Sequence, residues 1–168
     1  MEAGWEEVYA TQYHRLVALV AAVAGSRAEA EEAVQEAFVR ALGLTGRRGV
    51  VADPQGWLYR VAVNVVRTRW RRAGIGRRVF ARLAEEEPPV SAHAQTDSRV
   101  VLLAALRKLP FDQREALALH YLADLPVADV AVRLGCRPGT VKARLSRGRD
   151  ALARLLADEP MVKGERSA

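Results

Sequence analysis

Eight arginines and no acid lie between Arg60 and Arg82. Each arginine that neutralises a phosphate releases condensed counterions, so a run of this sign and density suits a polyanion partner. A solvated arginine-rich face would carry the same charges, and charge by itself leaves both readings open. The spacing says more. Arg60, Asn64, Arg67 and Arg71 follow at intervals of four, three and four, which sets them on one stripe of a helix. The stripe is basic, with one amide, Asn64, in it. A second cationic set, Lys142, Arg144, Arg147, Arg149 and Arg154, stands against the single acid Asp150 in the last helical stretch.

Other chemistries find no footing. The sequence offers no nucleophile–base pair, no phosphate-cradling glycine loop and no paired carboxylates, so a non-enzyme without cofactor is expected. Cys136 is the only cysteine, and His14, His93 and His120 are scattered without ligand spacing, so neither a disulfide nor a metal site is expected. A reducing cytoplasm suits that cysteine usage. The apolar run Leu16 to Ala24 follows Glu2, Glu6 and Glu7 where a leader would be positive. It is also shorter than the roughly 20 residues a membrane span needs, so it reads as a buried helix and no membrane insertion is expected.

The elements that must carry the cationic stripes are helical throughout, because apolar residues recur at three and four and do not alternate. The fold class is therefore all-α. A first helix runs from about Trp5 to Ala24, with Val8, Leu16, Leu19, Val20 and Val23 for a core, and Gly25-Ser26 ends it. Ser26 and Glu29 form a capping box for the second, whose apolar stripe is Ala30, Val34, Phe38 and Leu42. Its other face carries Glu29, Glu32, Gln35, Glu36 and Arg40. Asp53-Pro54 opens a third helix, with Leu58, Val61, Ala62 and Val65 inward.

Two domains follow from the composition, at 5–73 and 98–157, joined by a flexible linker at 74–97 and ended by a disordered tail at 158–168. The linker holds Gly74, Gly76, the acidic run Glu85 to Glu87 and Pro88-Pro89. Fully extended it would reach about 80 Å. The second domain begins near Ser98 with a helix carrying Val101, Leu102, Ala105, Leu106 and Leu109, closed by Pro110, and continues from about Asp112 to Leu122. The segment Pro126 to Arg149 then has the logic of a helix-turn-helix. Ala131 is small where two helices cross, Gly135 suits a left-handed turn, and Val141 locks the second helix, which runs from Pro138 to about Leu156.

The stretch LRKLPFDQREALALHYLADLPVADVAVRLGCRPGTVKARLSRGRDAL resembles the fourth domain of extracytoplasmic-function (ECF) sigma factors. SRAEAEEAVQEAFVRAL is similar to the polymerase-binding helix of their second domain, and DPQGWLYRVAVNVVRTRWRR to its promoter-melting helix. The resemblance implies a factor that binds core RNA polymerase, directs promoter-specific initiation and answers to an anti-sigma protein. By the same resemblance Glu32, Gln35, Glu36 and Phe38 sit on the docking helix, with Glu32 where the family usually has Asp. Arg60, Asn64, Arg67 and Arg71 would face minus-ten DNA, with Asn64 helping to capture a flipped base. Trp57, Tyr59 and Trp70 are candidates to stack on unpaired bases or to pack in the core, the latter favoured for Trp57. Thr140, Lys142, Arg144, Ser146 and Arg147 match the helix that reads the minus-thirty-five element. Pro126 and Arg137 depart from the family, which often places a capping serine there. A rival reading is a two-domain helix-turn-helix regulator that acts on duplex DNA without tight polymerase binding.

Overall fold

The computed structural model describes residues 4–44, 51–74 and 94–158, with side chains from residue 98 onward in the last segment. Among the described residues there are seven α-helices and no strand. They are α1 (Trp5–Ala24), α2 (Arg27–Leu44), α3 (Pro54–Ala73), α4 (Ala94–Arg107), α5 (Phe111–Leu117, continued by a π-helical segment Ala118–Leu122), α6 (Val127–Leu134) and α7 (Pro138–Asp158). The chain divides into two compact units, Met1–Asp97 and Ser98–Ala168.

In the first unit α1, α2 and α3 pack on one another. The second half of α1 is its most buried segment, from Leu16 through Ala24 with Ala18 alone facing out. Gly25 then takes φ 72° and returns its N–H to Ala21 O at 2.7 Å, the left-handed helix end that glycine adopts without a Cβ penalty. Ser26 Oγ accepts from the Glu29 N–H at 3.3 Å. Asp53 caps α3 by accepting from the Gly56 N–H at 2.9 Å, with Pro54 in the first turn. Asp53→Ala is expected to cost about 0.5–2 kcal/mol, read as a lower melting temperature of the first unit.

The core face of α2 differs from the expected stripe. Ala30, Val34 and Phe38 are buried, but Leu42 is 56% exposed and Ala33, Ala37 and Ala41 face inward instead. A run of four-residue steps drifts by about 40° per step around a helix that turns about 100° per residue, so by Leu42 the stripe has left the core. On α3 Leu58, Ala62 and Val65 are buried as expected, with Val61 only half-buried and Tyr59, Val63 and Val66 completing the inner face.

The second unit is built around α5 and α7. Its first helix starts at Ala94, four residues ahead of the expected Ser98, so the end of the expected linker is helical; residues 75–93 and 159–168 of the expected linker and tail lie outside the described residues. Ala105, Leu106 and Leu109 are buried, whereas Leu102 is exposed. Gly135 takes φ 63° between α6 and α7, and Ala131 and Val141 are buried at the crossing. No side chain caps α6 at Pro126, whose carbonyl accepts from the Asp129 and Val130 N–H groups at 2.9 and 3.0 Å. Gly148 is buried where α7 crosses α5, and a Cβ there would stand 2.9 Å from Leu117 Cδ1.

Candidate nucleic-acid interface

On α3 the stripe emerges as expected. Arg60, Asn64 and Arg71 are exposed and Arg67 is half-buried, on the side of the helix away from Leu58, Ala62 and Val66. The aromatics separate. Tyr59 is 2% exposed and belongs to the core, so it is not available for stacking. Trp57 is half-buried with its ring 5.9 Å from that of Trp5. Trp70 is exposed, and its indole N–H donates to Glu29 Oε1 at 3.1 Å.

The acidic side of α2 runs along the edge of α3. Glu32 and Gln35 are exposed and Glu36 is half-buried. Arg69 of α3 donates to Glu32 Oε2 at 2.9 Å and to Glu36 Oε2 at 3.5 Å, while Glu36 Oε1 accepts from Arg40. Phe38 faces the other way: it is buried, with the Tyr9 ring edge-on at 4.9 Å and the Tyr13 ring at 6.4 Å. Two apolar side chains, Val39 and Leu42, stand exposed beside Gln35 on the outer face. At about 100° per residue Leu42, Gln35, Val39 and Glu32 fall within one narrow sector.

In the second unit Val141, Leu145 and Gly148 define the inner side of α7. Directly opposite are Gly139, Ala143, Ser146 and Asp150, flanked by Thr140 and Arg147 on one side and Lys142 on the other, by the same 100° arithmetic. Thr140, Lys142, Ser146 and Arg147 are exposed. A small-residue centre edged by cations lets a helix approach a groove floor while its long side chains reach base edges and phosphates. Arg144 sits nearer the core and donates to Asp112 Oδ2 of α5 at 3.2 Å. Arg149 donates to the Tyr121 hydroxyl at 3.0 Å.

Sequence reasoning missed several of these groups. Arg69 reads as one more arginine of the cationic run, with no signal that it turns toward α2. Arg114 and Glu115 carry no sequence signal of burial, yet both are buried, and the Arg114 guanidinium lies 5.5 Å from the centre of the Phe111 ring. The described residues contain no group of three or more His, Cys, Asp or Glu able to hold a metal, and no described helix is long and apolar enough to cross a membrane.

Each unit matches a known family: residues 8–75 match Sigma-70 region 2, and residues 99–152 match Sigma-70 region 4. The ECF RNA polymerase sigma factor SigM of Mycobacterium tuberculosis is 34% identical over 145 residues, covering 86% of this chain and 71% of that protein. This chain belongs to the ECF sigma factor family. The ECF RNA polymerase sigma factor EcfG of Rhodopseudomonas palustris is 32% identical over 84% of this chain and 78% of its own length. Among solved structures, the sigma factor RpoE in complex with the anti-sigma factor NepR from Bartonella quintana is 27% identical, with a TM-score of 0.67 over 92% of this chain and 96% of that one. As a sigma factor the protein directs promoter-specific transcription initiation, and two family matches in order, one per unit, disfavour the rival of a free-standing regulator. Sigma factors are initiation factors, not enzymes.

Proposed function

We propose that the three jobs of this sigma factor fall on three separate helix faces: polymerase docking on the outer face of α2, minus-ten capture on the stripe of α3, and minus-thirty-five reading on α7. The observation that carries this reading is the separation of charge within the first unit. The acids Glu32 and Glu36 and the amide Gln35 lie on α2, while Arg60, Asn64, Arg67 and Arg71 lie on a side of α3 that holds no acid. One face suits a protein surface with apolar and cationic groups, through Glu32, Gln35, Val39 and Leu42. The other suits a nucleic-acid backbone with one base-specific amide in its midst. Phe38 supports the docking face from beneath, packed on α1.

On α7 Thr140, Lys142, Ser146 and Arg147 face the groove, and Arg144 approaches DNA from the flank where Asp112 holds it. The factor works in the cytoplasm, alongside core polymerase and promoter DNA. An anti-sigma protein is its proposed antagonist, because the solved relative RpoE is itself bound to one.

Asn64→Ala tests the assignment of α3. Loss of one base-edge contact is worth about 1–3 kcal/mol, so open complexes detected by permanganate should fall about 5- to 150-fold. Binding to core polymerase, followed by gel filtration, should stay at the parent level because Asn64 is not on α2. Equal loss of both would make Asn64 a structural residue and remove the stripe from the DNA interface.

A further inference from the structure

The acids of the docking helix are already in use. Arg69 reaches Glu32 and Glu36 from α3, Arg40 takes the second oxygen of Glu36, and beside them Trp70 donates to Glu29. Arg69 is not part of the DNA stripe: nine residues beyond Arg60, it projects from about the opposite side of α3. It also lies past the end of the helix core, since the last buried side chain of α3 is Val66. The residue is therefore an arginine whose partners in the structure are the very carboxylates that face outward for docking.

We propose that Arg69 is an internal competitor of the polymerase, which in the free factor occupies Glu32 and Glu36 and must be displaced when a cationic partner surface engages them. The inference rests on the reading of α2 as the docking helix. Its physics is that of an exchangeable surface ion pair. The Arg69, Glu32 and Glu36 side chains are 39%, 68% and 37% exposed. Pairs this open to water are weak and screened by salt, so an incoming guanidinium or ammonium can replace Arg69 without a large barrier. Glu32 keeps its other oxygen, Oε1, available for the first contact, and Arg69 uses Oε2. The positive charge of Arg69 next to that contact lowers the attraction α2 exerts on a cationic surface, so docking is slower and weaker than the acids alone would make it. An internal competitor of this kind sets an upper limit on the factor's share of the polymerase pool without altering the docking residues themselves.

The sign of the effect makes the inference testable, because removing an arginine should improve binding. Arg69→Gln should bind purified core RNA polymerase from the source organism about two- to five-fold more tightly at low salt, a gain of the size a surface pair can supply. The gain should shrink at high salt and vanish when Glu32→Gln and Glu36→Gln are already present. Arg69→Met, which keeps an aliphatic stem, should show the same gain and carries the test if the glutamine variant loses its helical circular dichroism. Unchanged or weakened binding by both variants would overturn the inference. Val39→Asp, with Arg69 intact, separates this from the docking reading. If Val39→Asp weakens polymerase binding about 10-fold or more while Arg69→Gln gains nothing, only the competitor is lost. If Val39→Asp binds like the parent, the docking face and the competitor fall together.

Discussion

Lys142→Ala combined with Arg147→Ala is expected to cost the factor about 2–6 kcal/mol in recognition of its upstream promoter element, taking about 1–3 kcal/mol for each base-reading side chain and near-additivity across the helix. Both residues are exposed on α7 and stand on opposite flanks of the Gly139, Ala143 and Ser146 centre. A helix seated in the major groove would place one on each wall, so no single neighbour can replace the pair. Arg144 and Arg149 differ, because Asp112 and Tyr121 hold them against the body of the unit. Arg144→Ala should therefore change affinity more evenly across sequences than Lys142→Ala or Arg147→Ala, as expected of a side chain that meets phosphate. Binding-site selection with each variant holoenzyme measures both quantities. If the double variant kept the parent's affinity and preference, α7 would not be the recognition helix.

The difference between Arg144 and Arg147 shows where sequence stops being legible. Both are arginines on one cationic helix, three residues apart, and their surroundings diverge: Arg144 is half-buried with Asp112 of α5 beside it, and Arg147 is exposed. The helices themselves were legible because their signals are local. Trp5 to Ala24 follows from an uninterrupted apolar period and a terminal glycine, α3 from Asp53 and Pro54, and the turn after α6 from Gly135. The stripe Arg60, Asn64, Arg67 and Arg71 was legible too, since spacing fixes which residues share a face. Leu42 was misplaced because a four-residue spacing was carried one turn too far. The π-helical turn at Ala118–Leu122 left no mark, for it depends on the Ala123 N–H closing on Ala118 O, five residues back. Arg69 was illegible for the same reason as Asp112: its meaning lies in a neighbour 33 to 37 residues away in sequence.

Leu119 lies in that π-helical turn, fully buried in the core of the second unit with Val130, Val141 and Leu145. Truncating it to alanine removes three carbons from a site closed on all sides, and the surrounding helices can fill the void only in part. The expected cost is about 2–5 kcal/mol. A small helical unit has a total stability of the same order, at about 0.05–0.15 kcal/mol per residue. Leu119→Ala should therefore leave the second unit largely unfolded at ordinary assay temperatures. The first unit draws its core from α1, α2 and α3 and contributes none of these side chains. Its melting should be unchanged, and the variant should still bind core polymerase while losing the upstream element. Hydrogen exchange read helix by helix distinguishes this from a collapse of the whole chain: amides of α5, α6 and α7 should lose protection while those of the second half of α1 keep theirs. Loss of protection in all of them at once would mean that the units fold as one, and that an upstream-element defect in any core variant reports on stability rather than on recognition.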